Sequence, residues 1–285
     1  MSWIVEKMAR NVCRVHITYT GSLDQRFLLS ADRHWDNPLS NQELQTKHLD
    51  IALGIKAGVI DVGDFFCAMQ GKFDKRASKA SLRPEHKMND YLDALVETAD
   101  EFFAKWAKLF VVIGMGNHET SILSRHEVNL TNNLCTRLNK RGSKVFNGGF
   151  SGWVHFILTQ KYTNEKTHFK LHYHHGYGGG GPVTRDVIQS NRQAVYLPDA
   201  DIVVSGHTHD EWQVPIAKVR LGNDSRITRS ETIHLKVPTY KDEYRDGFGG
   251  FHIEKGRAPR PIGAAWIRFF AEKGCKPDFE ILRAK

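Results

Sequence analysis

Val59-Ile60-Asp61-Val62-Gly63-Asp64 decides how this chain is read. It is a short buried strand that ends on a glycine and a carboxylate. Upstream, Asn41 to Lys56 has Leu44, Leu49, Ala52 and Ile55 on one side, which predicts a helix with Ser40 as its N-cap. Before that, Arg26 to Ser30 reads as a strand ending at Asp32. Strand, crossover helix and strand make a βαβ unit, with polar residues at the carboxyl ends of its strands.

The pattern continues outward. Val12 to Thr20 alternates as a strand, and Gly21 to Asp24 turns the chain. Met88 to Lys108 predicts one long helix, with Leu92, Leu95, Val96, Ala99, Phe102, Phe103 and Trp106 at helical spacing. Leu109 to Ile113 is a strand feeding Gly116-Asn117-His118-Glu119, and a helix follows over His126 to Lys140. Val154 to Gln160 and His168 to Tyr173 read as neighbouring strands. A short helix is expected at Arg185 to Val195, then a buried strand, Asp201 to Ser205. Further strands are expected near Trp212 to Leu221, Thr228 to Val237 and Ala264 to Phe270. With no repeat or clear linker, residues 1–285 read as one α/β domain of two stacked mixed sheets with flanking helices. A basic insertion is expected at 71–87 and a strand-rich C-terminal extension at 211–285.

Hydrophobic residues make up 40% of the 285, enough for a sizeable core, and no apolar run approaches the ~18 residues of a membrane helix. No membrane association is expected. The N-terminus lacks the pattern of a secretion signal. Cys13, Cys67, Cys135 and Cys275 form no CxxC pair, so a zinc ribbon or disulfide framework is not indicated. Isolated thiols without a signal lead us to expect a reducing cytoplasm. Nothing in the sequence sets an oligomeric state.

Five stretches that follow apolar runs carry the chemistry: Asp32-Arg33-His34, Gly63-Asp64, Gly116-Asn117-His118-Glu119, His174-His175-Gly176 and Gly206-His207-Thr208-His209. Carboxylate oxygens and imidazoles brought to one sheet edge suit Mn, Zn or Fe and the ester hydrolysis these ions promote. Residues two apart in an extended segment share a face, so Asp32 with His34, and His207 with His209, can address one site. Each residue alone has an ordinary reading as a turn or surface residue. Their joint order argues otherwise.

From Phe27 to Asp210 these motifs resemble those of the calcineurin-like metallophosphoesterase superfamily. Gly63-Asp64-Phe65-Phe66 is similar to the second motif of its DNA-repair exonuclease-like branch. The resemblance implies a four-layered α/β/β/α sandwich with two divalent metal ions at the strand ends, Mn first, with Zn, Fe or Ni as alternatives. Asp32, His34, Asp64 and His209 would hold one ion. Asp64, Asn117, His207 and a histidine of the 174/175 pair would hold the other, with Asp64 shared and a hydroxide between the ions. A ligand directly before glycine favours His175, whereas strand alternation puts His172 and His174 on one face, so the pattern leaves the pair open. His118 would protonate the leaving oxygen. Many phosphatases of the superfamily support that histidine with a carboxylate three residues after the shared aspartate, and here that position is Cys67. Support would have to come from Glu119 or Asp36, each of which has an equally good structural reading. The aspartate-arginine-glycine signature of protein serine/threonine phosphatases is absent.

A net charge of +8 favours polyanionic partners. The stretch after Asp64 carries Lys72, Lys75, Arg76, Lys79, Arg83 and Lys87, and the run Gly176 to Pro182 offers bare backbone near the expected metals. A nuclease or phosphodiesterase acting on nucleic acid is therefore expected. A nucleotide or small-molecule phosphoesterase is the alternative, and a non-catalytic binding module a third. Arg33, His174 and Arg185 are the expected substrate contacts. Lys241, Tyr244, Arg245, Phe248, Phe251, His252, Lys255 and Arg257 mix aromatics with bases. They would stack bases and hold a backbone, or merely close a sheet edge.

Overall fold

A computed structural model describes residues 3–69, 77, 82–179, 181, 183–249 and 251–284. In chain order its strands are β1 (Trp3–Ala9), β2 (Val12–Tyr19), β3 (Leu23–Ser30), β4 (Gly58–Asp61), β5 (Phe110–Ile113), β6 (Phe146–Asn147), β7 (Ser151–Gln160), β8 (Lys166–His174), β9 (Ile202–Ser205), β10 (Trp212–Leu221), β11 (Ile227–Lys236), β12 (Ala264–Ala271) and β13 (Asp278–Ala284). The helices are α1 (Gln42–Gly54), α2 (Tyr91–Phe103), α3 (Asn117–His126), α4 (Leu130–Lys140), α5 (Ile188–Tyr196) and the single turn α6 (Phe251–Glu254).

The strands form two mixed sheets, ordered β1-β2-β7-β8-β9-β11-β10 and β13-β12-β3-β4-β5-β6. β4, β5 and β9 are buried along their whole length, as short apolar runs in parallel pairings usually are. The sheets stack face to face. Val15, Phe156, Leu158 and Leu171 from one meet Phe27, Leu29, Ile60, Val112 and Phe269 from the other. On the outer face of the six-stranded sheet, α1, α2 and α4 bury Leu49, Leu95, Phe103 and Leu134. The other sheet is covered by the end of α5, where Leu197 and Ala200 pack on Val203 and Trp153. The layering is α/β/β/α, as expected. Among the described residues, no helix is long and apolar enough to cross a membrane.

The βαβ unit forms as read. β3 pairs in parallel with β4, Leu28 opposite Val59 and Ser30 opposite Asp61. α1 starts one residue later than expected, because Asn41, not Ser40, caps it by accepting from the Leu44 N–H. Three other expectations change. The long helix from Met88 shortens to α2 and continues as a 3-10 turn over Ala104–Leu109. The helix placed at His126 to Lys140 starts later, as α4 at Leu130, and is preceded by α3, which was not foreseen and ends where Glu127 takes a left-handed φ of 59°. The flanking strands β1 and β13 were not foreseen.

The strands after Glu211 do not form a separate unit. β10 and β11 complete one sheet, while β12 inserts between β13 and β3 in the other. Of the expected basic insertion at 71–87, residues 71–76 and 78–81 lie outside the described residues. Arg83 is not a solvated base: it is buried, with its guanidinium 4.6 Å from the Trp35 ring centre.

Candidate metal centre

All five motifs leave the carboxyl ends of parallel-paired strands. Asp32 follows β3, Asp64 follows β4 and Asn117 follows β5 in one sheet. His175 follows β8, and His207 and His209 follow β9, in the other. The site therefore sits at the carboxyl-end rim of the two stacked sheets. The loops are tied together by backbone: Asp32 N–H donates to Gly63 O at 2.9 Å, and His34 N–H to Asp64 O at 3.0 Å.

The residues are not aimed by strand alternation. Asp32, His34, Asp64, His207 and His209 all take left-handed φ values, between 46° and 74°. Each such non-glycine residue costs ~1–3 kcal/mol, and such strain gathers at functional sites. Glycines make the close approach possible. A Cβ on Gly63 would lie 2.7 Å from the backbone of Met115 and Gly116, and one on Gly206 would lie 2.5 Å from Asp32 Oδ2.

The side chains fall into two groups able to hold a cation. In the first, His34 Nε2 lies 3.2 Å from His209 Nε2, with Asp32 Oδ1 3.5 Å from His209 Nε2. In the second, Asp64 Oδ2 lies 3.2 Å from His175 Nε2, with His207 alongside. Asn117 Oδ1 is 3.3 Å from the same His175 nitrogen. His209 thus enters the first group and His207 the second. Asp64 adjoins both, since its backbone carbonyl holds His34 and its carboxylate meets His175.

The donors fit divalent ions. Among the described residues, Asp32 Oδ1, His34 Nδ1 and His207 Nδ1 are buried without a hydrogen-bond partner. Leaving such atoms unsatisfied is costly, and coordination is one remedy for the carboxylate. Burial pushes the Asp64 carboxyl up, but His175 and His118 pull it further down, to well below the usual carboxylate range. Burial alone would lower His175, yet Asp64 holds it up at about 9. Without an ion the two form a buried carboxylate–imidazolium pair. His34 is driven well below its ordinary value, by burial first and then by Lys241, His118 and His209.

His175, not His174, enters a group. β8 ends at His174, whose Nδ1 accepts from the Gly176 N–H at 2.9 Å while its ring packs against Phe150 and Tyr177. Burial lowers it to about 4, so it is neutral. The expected phosphate contact by Arg33 is corrected. Arg33 is fully buried, donating to Asp61 at 2.7 Å, Ser30 at 2.9 Å and Gln45 at 3.0 Å beneath the Tyr240 ring. It cannot reach a substrate. Arg185 is exposed and lines a cavity of about 800 Å³ beside His207 and His209.

His118 lies at the start of α3 with its Nε2 3.8 Å from Asp64 Oδ2. Its Nδ1 contacts the Cys67 carbonyl, and that backbone oxygen stands where a carboxylate was sought. Neither proposed carboxylate supports it. Asp36 accepts from the Cys67 and Ala68 N–H groups and the Tyr91 hydroxyl. Glu119 accepts from Phe66 N–H at 2.8 Å and Gly116 N–H at 2.7 Å, fastening the β4 and β5 loops together.

Glu243 was not foreseen. Its carboxylate meets Lys241 Nζ at 2.6 Å and His252 Nε2 at 2.7 Å, and lies 3.8 Å from His209 Nδ1. A carboxylate behind a metal-binding imidazole fixes its tautomer and orientation. No motif surrounds Glu243, and only its place between Lys241 and His252 in a basic, aromatic segment could have drawn notice.

The chain matches no family model and no curated protein. Among solved structures it is similar to a conserved protein from Streptococcus pneumoniae TIGR4 described as a predicted phosphoesterase, at 11% identity and TM-score 0.34, over 92% of this chain and 90% of that one. Vps29 from Entamoeba histolytica complexed with Zn2+ is similar at 12% and 0.33, over 91% and 99%. GAP50, the anchor in the inner membrane complex of Plasmodium, is similar at 12% and 0.40, over 92% and 89%. At these values the likenesses carry nothing about ligand or activity.

Proposed function

We propose that the chain is a metal-dependent phosphoesterase that cleaves phosphodiester bonds in nucleic acid. The observation that carries this reading is the convergence of Asp32, His34 and His209 with Asp64, His175 and His207 at the carboxyl ends of strands from two stacked sheets. Asp32, His34, Asp64 and His209 would hold one divalent ion, and Asp64, Asn117, His175 and His207 a second. Bound cations would supply Lewis-acid polarisation of the phosphoryl oxygens and activation of water.

The chain's own residues do the rest. His118 spends Nδ1–H on the Cys67 carbonyl, which orients the ring. A proton on Nε2 is then the one free to pass to the leaving oxygen. Arg185 offers a guanidinium from the cavity wall to a phosphate. The net charge of +8, together with Lys255 and Arg257 along the same cavity, supports a polyanionic substrate.

One observation favours a second reading. About 800 Å³ falls within the size of small-molecule pockets, so a free nucleotide also fits. The test is to assay the Mn-loaded protein on bis-p-nitrophenyl phosphate, on labelled single- and double-stranded DNA and RNA, and on a nucleotide panel. Cleavage of nucleic acid supports the proposal. Intact nucleic acid beside rapid nucleotide turnover transfers it to the second reading. An inert, metal-loaded protein makes the chain a binding module.

A further inference from the structure

Cys67 lies at the edge of the two groups already described. Its Sγ, a nitrogen of His34 and a nitrogen of His118 all lie within 4.8 Å of one another. Cys67 and His34 are each 1% exposed, and the His118 side chain is 10% exposed. The sulfur's hydrogen-bond contact is with Asn37 Nδ2, at 3.3 Å. Burial pushes the thiol up to about 12, so with no cation present it stays protonated and inert.

This donor set differs in kind from the other two. Each of those joins one carboxylate oxygen to two imidazoles, while this one joins a sulfur to two imidazoles. Thiolate favours soft and borderline ions and gives Mn(II) little, whereas carboxylate oxygen suits Mn(II). We propose that His34, Cys67 and His118 form a third cation site, selective for Zn(II), Cd(II) or Co(II). It shares His34 with the first group, so the two compete. When a divalent ion binds, a metal–sulfur bond forms, the S–H bond breaks, and the proton leaves to solvent. No electron is transferred.

The site stands on geometry whether or not the chain is a phosphoesterase. Its consequence for turnover rests on the function proposed above. An ion held by this trio takes His118 out of proton transfer and draws His34 from the first group. Excess zinc would then inhibit an enzyme that runs on manganese.

Co(II) reports thiolate ligation directly, through a near-ultraviolet sulfur-to-cobalt charge-transfer band absent from nitrogen and oxygen sites. The full chain is titrated with Co(II), alongside Cys67→Ser and a variant in which Cys13, Cys135 and Cys275 are all serine. The band should appear in the first and third proteins and be lost in C67S. If C67S does not fold, His118→Ala in the triple-serine protein serves instead, and should raise the cobalt needed for half the band at least tenfold. Saturating Mn(II) should raise that concentration several-fold, and indifference to manganese would overturn the sharing of His34. A missing band, or one that survives C67S or is untouched by H118A, overturns the site. These readouts involve no turnover, so they separate failure of the site from failure of the proposed activity.

Discussion

His34 and His209 face each other nitrogen to nitrogen, Nε2 to Nε2 at 3.2 Å. Two imidazole nitrogens at that distance need one proton between them, and even then Asp32 Oδ1 beside them has no hydrogen bond among the described residues. A cation between the three would satisfy all of them. Added Mn(II) should therefore stabilise the fold, by ~2.7 kcal/mol at a hundredfold excess over its dissociation constant. Thermal denaturation with manganese or with chelator measures it. Equal melting temperatures would argue against an ion at this place.

Asp64→Asn should cut metal affinity and turnover by more than ~100-fold, since loss of a mere outer partner costs ~10–100-fold. Its carboxylate meets His175 and accepts the His118 N–H at 3.0 Å. Metal content by elemental analysis and turnover of bis-p-nitrophenyl phosphate test this. Full metal content in the variant would contradict the shared role.

His118→Asn should keep the metal and slow esters with poor leaving groups more than those with good ones. An activated aryl ester needs little protonation, while an alkyl or nucleoside oxygen does. A loss of ~10²–10⁴-fold is expected for the poor leaving group. Equal slowing of both would argue against a proton-donating role.

Arg33→Ala should act on stability. It would strip a fully buried aspartate, Asp61, of its cation, at a cost of about 3–5 kcal/mol. Urea unfolding measures this. The folded fraction should keep the KM of the parent, which a substrate contact would not.

Acid should weaken the fold through buried histidines that stay neutral in it. Burial, then Arg33 and Lys47, lowers His48 to about 4, and burial, then Lys218, lowers His234 to about 4. An unfolded imidazole titrates near ~6.5. With the folded value depressed, the unfolded chain binds more protons between the two. Stability is then whole above pH ~6.5 and falls as pH drops toward 4, by up to ~3 kcal/mol for each group. Denaturation across that range measures the fall, and His48→Gln should flatten part of it. An unchanged slope would remove His48 from the account.

Asp32, Asp64, Asn117, His207 and His209 were legible because each follows an apolar strand, and parallel strands deliver their carboxyl ends to one edge. Arg33 was misread because it stands between Asp32 and His34. Its partner, Asp61, lies 28 positions on, inside the run that looked merely buried. The choice between His174 and His175 turned on where β8 stops, and alternation ends with the strand at His174. α3 was missed because it begins on the motif itself, although Glu119 three residues after Gly116 is a readable capping signal. Glu243 reaches His209 only through the folded chain.

The pairing of β12 with β3 has a consequence for how the protein is made. Ala265 lies opposite Leu29, and the strand that delivers Asp32 has β4 on one side and β12 on the other. During synthesis β3 must wait, with one edge bare, until more than two hundred further residues have left the ribosome. The loop carrying Asp32 is therefore among the last parts of the nascent polypeptide to gain its final support, and the waiting edge is where a chaperone would be needed most.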